Sequence, residues 1–487
     1  MAKIESKSGN TKHHPLYESL CAIVGSKYVA DEDFAVLAYR NDSGPFTGSI
    51  PGIVVRPGAT EEVSEIVRLA NHTRIPVISR GGGVSIFGFP PGEAGRNVVI
   101  DLTRLDKIID INEDNMTVTA ECGITLSELG TKVQEKGFSV NLMLMPYYAN
   151  TLGGTLAGVS GGGWPLDCNT VGSNWRYVLG LKIVLPNGSV VETGGGAGTN
   201  VYRRGTFMRE AGAPDVTGMF IGDGGTFGVK TEATIQIFPS PEVIEAGSFF
   251  FSSFEDIWKA MSELMTIDPF PYTQLVGFDP RGLSLLSRKE SQNWCLLYST
   301  KGGSGREVGE KINKLKNTCH SAGGKEGGGP IEDIAAQFAT GVLLREMGRF
   351  VSLGLWAWLE SVVSKESFPQ YFMNCRSLID KRYKEGKLKQ YGAIRFDMII
   401  PYLRNACFGG TNIYYPDEIP ELREKMIEIS KEYSLFAVTQ GGSLWGHQGH
   451  GAEIMASYWS PTFYSFMQTL KRSLDPNDIL NPGLWRM

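Results

Sequence analysis

Residues 79–95 read SRGGGVSIFGFPPGEAG and follow the apolar run Ile75-Pro76-Val77-Ile78. Three glycines in succession give up backbone entropy, so a folded chain keeps them where the main chain turns sharply or approaches something closely. A strand that ends in such a loop can present its amides to a phosphate. Two common phosphate folds are nevertheless excluded. A dinucleotide-binding Rossmann turn opens straight into a helix with the spacing G-x-G-x-x-G. Here Ile86 takes the last position, and Pro90 and Pro91, among Gly88, Gly92 and Gly95, forbid a helix. The lysine of a P-loop is absent as well.

The other glycines follow the same habit. The chain has 60 in all, with clusters at 81–83, 153–163, 194–198, 222–228, 302–309, 323–329 and 441–451. They show no repeat period and alternate with apolar strands, which reads as loops that hold a ligand. A chain of 487 residues exceeds one ordinary core, so two domains are expected. A net charge of −5 argues against a nucleic-acid partner, which asks for a basic face. The seven cysteines are widely spaced and include no C-x-x-C, so free buried thiols are expected and no metal site. The first twenty residues lack a signal-peptide core, and no run reaches the roughly 18 apolar residues of a membrane span. A cytoplasmic location is the resulting expectation. The nearest approach, FVSLGLWAWLESVV (350–363), is too short and ends on Glu360; it reads as a core or docking helix.

Residues 50–83 read as strand, helix, strand and loop. Thr60 is expected to cap the helix, with Glu61 and Glu62 in its first turn. Val63, Ile66, Val67 and Ala70 then recur at helical spacing. Two strands are expected in 97–108 and 116–123, the second with Val118, Ala120 and Cys122 on one face. Thr125 and Glu128 form a capping box, and Asn187-Gly188 marks a hairpin. From about 240 a strand leads to a helix capped near Ser252–Ser253, with polar loops at 301–309 and 320–330; His320 is expected in the latter and His72 past a helix end. This reads as an α+β domain with an antiparallel sheet. After 435 the glycine-loop style returns.

VISRGGGVS, NTLGGTLAGVSGGG, VLGLKIVLPNGSVVETGG, FIGDGGTFGVKTEATI and LDPNDILNPG occur in the order of a known family. The chain resembles the FAD-linked oxidases and dehydrogenases that share the fold of vanillyl-alcohol oxidase and p-cresol methylhydroxylase and include D-lactate and glycolate dehydrogenases. The resemblance implies an α+β fold: a two-subdomain FAD-binding domain over 1–239 (core 45–239), an α+β cap or substrate domain over 240–435, and a segment, 436–487, returning to the first. It implies an FAD cofactor whose pyrophosphate is wrapped by Arg80, Gly81, Gly82, Gly83, Val84 and Ser85. Pro146, Thr151, Gly153 and Gly154 would pass the isoalloxazine. Gly161, Gly162 and Arg176 would line the next segment, Gly228 and Val229 the adenine or ribose, and Asn481 would approach the flavin ring.

Departures from the family pattern bear on mechanism. Relatives that attach the flavin through a histidine after R-G-G-G have it where this chain has Val84, so dissociable FAD is expected. In the hydroxyacid branch a histidine precedes the D-P…N-P-G tail; His447 falls there, with His450 nearby, and Gly446 replaces the glutamate before it. The same branch carries H-x-G-D-G-N-x-H, and the corresponding CFGGTNIYYP (407–416) lacks both histidines and the aspartate. The alternative is the phenol-oxidising branch, for which Arg395 and Tyr402 in YGAIRFDMIIPYLR (391–404) are the candidate substrate residues. Arg395 and Asp397 are expected on one face of a strand. The expected reaction is transfer of a hydride from a small alcohol, 2-hydroxyacid or 4-substituted phenol, with a base taking the proton. The expected partners are a small-molecule substrate and an electron-acceptor protein, for which Trp356 and Trp358 would be a docking face; a homodimer is compatible with this reading.

Overall fold

The computed structural model describes residues 13–42, 44–46, 48–85, 94–140, 148–158, 177–196, 198–203, 205–210, 212–339, 354–402, 404–444 and 450–487. Three sheets organise them. The first runs β1 (Val29–Ala30), β2 (Ile53–Val55), β4 (Val98–Asp101), β3 (Val77–Arg80), parallel across its last three strands. Those strands are apolar on both faces, and helices α1 (Tyr17–Val24) and α3 (Thr60–Thr73) bury one of them in a core built from Val55, Ile66, Val67, Val77 and Ile100. A short α2 (Asp33–Leu37) sets Val36 against Val54, Ile78 and Val99 on the other. Thr60 is the first helical residue rather than the cap, because the Glu62 carboxylate reaches back to the amide of Gly58 at 2.6 Å.

The second sheet is antiparallel, in the order β5 (Ile108–Asn112), β6 (Thr117–Glu121), β12 (Val229–Gln236), β8 (Val178–Val184), β9 (Val190–Glu192). Val118, Ala120 and Cys122 line its buried face together with α4 (Leu126–Gln134) and α5 (Leu152–Ala157). Thr125 caps α4 by accepting from the Glu128 amide at 3.2 Å. The Asn187-Gly188 hairpin forms, with Gly188 at a φ of 82° that favours glycine. Two minor pairs flank this sheet, β7 (Phe138–Ser139) with β13 (Phe238–Pro239), and β10 (Gly195–Gly196) with β11 (Thr206–Met208).

The third sheet has seven antiparallel strands in the order β17 (Lys325–Glu326), β14 (Val243–Phe251), β16 (Trp294–Gly302), β15 (Tyr272–Phe278), β19 (Ile394–Tyr402), β20 (Ala406–Tyr415), β18 (Leu355–Ser364). Its helices are α6 (Phe254–Leu264), capped by Ser253, α7 (Pro280–Ser287), α8 (Gly305–Ser321), α9 (Pro330–Ala339), α10 (Phe368–Glu385) and α11 (Pro420–Thr439). Helix α8 takes in most of the expected 301–309 loop and His320, which lies in its last turn. Two further helices, α12 (His450–Tyr458) and α13 (Pro461–Leu474), precede the C-terminal tail.

A further expectation is overturned. Residues 355–364 of the apolar run are the edge strand β18, not a helix. Six consecutive positions from Ala357 to Val362 are buried or nearly so on both faces, and a run without polar alternation carries no period that separates strand from helix. The docking face expected of Trp356 and Trp358 goes with it: the two indoles stack at 5.1 Å within the sheet, and Trp358 is buried.

Candidate functional site

Four stretches far apart in sequence converge at the end of β3. The first is the triple-glycine turn. A side chain on Gly81 would overlap the Thr151 hydroxyl, and one on Gly82 the carbonyl of Ala149; Gly83 has a φ of 65° and sits against the Arg80 guanidinium. The turn is therefore glycine for two reasons, close approach and backbone sign. Thr151 opens α5 by accepting from the Gly154 amide at 3.2 Å, and Gly153 donates to the Cys122 carbonyl at 2.7 Å. A side chain at Gly153 would stand 2.8 Å from the Cys122 Cβ. Arg80 turns back, donating to the carbonyl of Tyr39 at 3.1 Å and to that of Asn41, and burial lowers its pKa.

The third stretch, Gly222–Gly228, docks on the end of α5, with Gly222 donating to Leu156 and Gly224 to Ala157, each at 2.8 Å. Asp223 holds its turn: the carboxylate accepts from the amides of Gly225 and Phe227 and pairs with Lys230 at 2.5 Å, both side chains almost wholly buried. The fourth is the tail. Val77 donates to Ile479 at 2.7 Å and Asn481 returns a bond to Val77 at 3.0 Å, so the tail extends the first sheet beside β3. Lys471 locks that tail, bonding Asp475 at 2.6 Å, Leu480 at 2.8 Å and the carbonyl of Thr226 at 3.3 Å. Asn481, at a φ of 43°, donates to the Gly224 carbonyl and leaves its buried Oδ1 without a partner.

This arrangement fits an FAD. Glycine backbone lies where a diphosphate needs amides, a capped helix starts beside it, and an orphaned amide oxygen faces the same junction. Gly81–Ser85, Thr151, Gly153, Gly154 and Asn481 would hold the cofactor. Gly228 and Val229 differ in kind, because Val229 is wholly buried in the apolar core of the first sheet and a side chain on Gly228 would run into Ile183. Pro146, Gly161, Gly162, Arg176 and His447 lie outside the described residues, as do the side chains of His450 and Tyr402.

The cap sheet has two distinct faces. On one, Gly409 lies against Phe368 and Phe372 of α10, and Ser361 meets the hydroxyls of Tyr371 (2.6 Å) and Tyr433 (3.1 Å). Arg395 and Asp397 point to this helix side. Arg395 pairs with Asp380 at 2.6 Å and Asp397 at 3.3 Å, and Arg376 binds Asp397 at 2.8 Å. Asp279 caps α7 within the same cluster, and burial with the neighbouring Asp397 pushes it up to about 7. The charges of Arg395 and Asp397 thus satisfy their own network.

By alternation across the ladder, the opposite face carries Trp356, Trp358 and Glu360 of β18, Phe396 and Met398 of β19, and Phe408, Gly410, Asn412 and Tyr414 of β20. Trp356 stacks on Tyr414 at 5.5 Å and donates to Asn412 Oδ1 at 3.0 Å. Glu360 is fully buried, and neither carboxyl oxygen has a hydrogen-bond partner; the same is true of Trp358 Nε1 and Asn412 Nδ2. Burial alone pushes the Glu360 carboxyl well above the usual carboxylate range. Sequence reasoning missed this residue, although an acid inside an apolar run was the signal. The stretch that departs from the hydroxyacid motif, 407–416, is the strand that faces it.

Comparison with known proteins completes the picture. A model described as "FAD binding domain" matches residues 51–194, and one described as "FAD linked oxidases, C-terminal domain" matches residues 240–484, half of the chain. The chain is 24% identical over 483 residues to glycolate oxidase subunit GlcD of Bacillus subtilis, covering 96% of this chain and 95% of that protein. It is 22% identical over 466 residues to mitochondrial D-lactate dehydrogenase [cytochrome] 1 of Saccharomyces cerevisiae, covering 91% and 74%. Among solved structures, p-cresol methylhydroxylase with bound substrate superposes with a TM-score of 0.78 at 18% identity over 96% of each chain.

Proposed function

Because the chain belongs to the FAD-linked oxidases, we propose that this enzyme oxidises an uncharged aromatic alcohol or a 4-substituted phenol, in preference to a 2-hydroxyacid. FAD supplies the two-electron, hydride-accepting centre when bound. Residues 1–239 with the tail 436–487 form its seat, and 240–435 is the cap that presents the substrate face. One observation carries the choice of substrate class. Along β18, β19 and β20 the described residues of the face bearing Glu360 include the aromatic rings of Trp356, Trp358, Phe396, Phe408 and Tyr414 and no lysine or arginine. A hydroxyacid carboxylate buried there would lack a counter-charge, whereas an aryl ring has stacking partners.

A second reading, oxidation of a small 2-hydroxyacid with His447 or His450 as base, draws on the likeness to glycolate and D-lactate enzymes. Val84 in place of a linking histidine favours a dissociable cofactor. An electron-acceptor protein is part of either reading, as the yeast relative's cytochrome designation suggests by analogy. Anaerobic bleaching of the bound flavin by D-lactate, glycolate, 2-hydroxyglutarate, polyols, benzylic alcohols and 4-alkylphenols separates them. Bleaching by the aromatic compounds is expected. Bleaching by hydroxyacids alone would overturn the aromatic reading.

A further inference from the structure

We propose that Glu360 is the proton acceptor of this reaction, with Trp358 Nε1 and Asn412 Nδ2 as the donors that seat the substrate's oxygen. The proposal rests on the functional reading above and gives that site its chemistry. Glu360, Trp358 and Asn412 sit on adjacent strands in register, Trp358 opposite Asn412 and Glu360 opposite Gly410. Gly410 lets Trp358 and Glu360 close in on each other across the patch: a Cβ there would stand 3.0 Å from Trp358 Nε1 and 3.1 Å from the Glu360 Cβ.

Three buried polar groups left without partners, side by side on one face, are costly to a fold. On the reverse face the charges of Asp279, Arg376, Asp397 and Arg395 are paired with one another. A cluster left open within the same sheet points to a ligand as the missing partner. The complement it asks for is specific: an oxygen that accepts from an indole N–H and an amide N–H, and a hydroxyl proton for a carboxylate. An alcohol becoming a carbonyl supplies both. With FAD bound to supply the hydride acceptor, the substrate's O–H bond would break toward a Glu360 oxygen, which takes the proton, as its C–H bond gives up hydride with the electron pair and the C=O forms. The Trp358 and Asn412 donors then hold the carbonyl oxygen. Burial disfavours the Glu360 carboxylate, so the carboxyl holds a transferred proton firmly.

The test compares wild-type holoenzyme with Glu360→Gln and Glu360→Asp. Each is titrated anaerobically with a bleaching substrate across pH. Each is also titrated with phenol, a hydroxyl probe without a hydride to give, by quenching of tryptophan fluorescence. Glu360→Gln is expected to stay yellow, bleach about 10²–10⁴-fold more slowly and lose the rising limb of the pH profile; Glu360→Asp should keep that limb at a lower rate. Phenol should bind wild type more tightly as rising pH ionises the carboxyl, and bind Glu360→Gln without that dependence. A yellow Glu360→Gln with the wild-type rate and pH profile would overturn the assignment and leave the functional reading intact. A wild type bleached by nothing in the panel would overturn the functional reading, and the phenol titration would still decide whether Glu360 receives a hydroxyl.

Discussion

The flavin cradle and the cap face solve opposite problems. In the cradle, the groups that would meet the ligand are backbone amides, and the side chains of Asp223, Lys230, Lys471 and Asp475 are anchors bonded among themselves. On the cap face the backbone is consumed by the ladder between β18, β19 and β20, so side chains must meet the ligand, and three of them wait without partners. A diphosphate is common to all users of the cofactor and suits an invariant main-chain surface. A substrate differs from enzyme to enzyme and is met by residues that can be exchanged without touching the fold.

That contrast predicts substitutions of opposite sign. The largest loss is expected from Lys471→Met, which strands the buried Asp475 carboxylate and frees the tail from Thr226 and Leu480. Breaking such a pair costs about 3–5 kcal/mol, read as a lower denaturation midpoint together with lost FAD retention. Next comes Gly82→Ala. Its methyl group meets the main chain of Ala149, and overpacking of this kind costs about 1–3 kcal/mol, so FAD affinity by fluorescence titration should fall roughly 10- to 100-fold. An unchanged affinity would break the claim that the turn is shaped by close approach.

On the cap face the sign reverses. Glu360→Gln should stabilise the protein near neutral pH while slowing catalysis, a trade expected where function keeps an unmatched group. The pH dependence follows from the raised folded pKa. Wild type holds the stability contributed by the neutral carboxyl below the ordinary value of 4.5 and loses it as pH rises through the folded value, because the buried charged form is disfavoured. The midpoint difference between Glu360→Gln and wild type should therefore widen from acid toward alkaline pH in thermal denaturation. Smallest is Gly309→Ala in α8, where a Cβ meets nothing within 4 Å. It should stabilise by about 0.5–1 kcal/mol and leave FAD binding and bleaching untouched.

Thr151, Gly153 and Asn481 were expected in the cradle only through the resemblance to the FAD-linked oxidases, whereas the triple-glycine turn at Gly81–Gly83 was legible from the residues themselves, since turn chemistry is written within a few positions. The capping box at Thr125 and the hairpin at Asn187-Gly188 were legible for the same reason. The strand carrying Arg395 and Asp397 was read correctly as well, but not what their charges do. Whether the buried Arg395 meets a ligand or two aspartates depends on α10, which lies elsewhere in the chain. Glu360 was taken as the end of a helix, because a strand buried on both faces has no alternation to reveal it.

The sequence by itself determined glycine turns where the main chain comes close to its neighbours and an antiparallel α+β second half. The turns follow from local backbone chemistry, which acts over a handful of residues. Tertiary structure alone decided that Val77, Ala149, Gly224 and Asn481 meet at one junction, and that Trp358, Glu360 and Asn412 share one face. Register and crossover order set those meetings, and hydrogen bonds between strands distant in sequence leave no local signature in the residues they join.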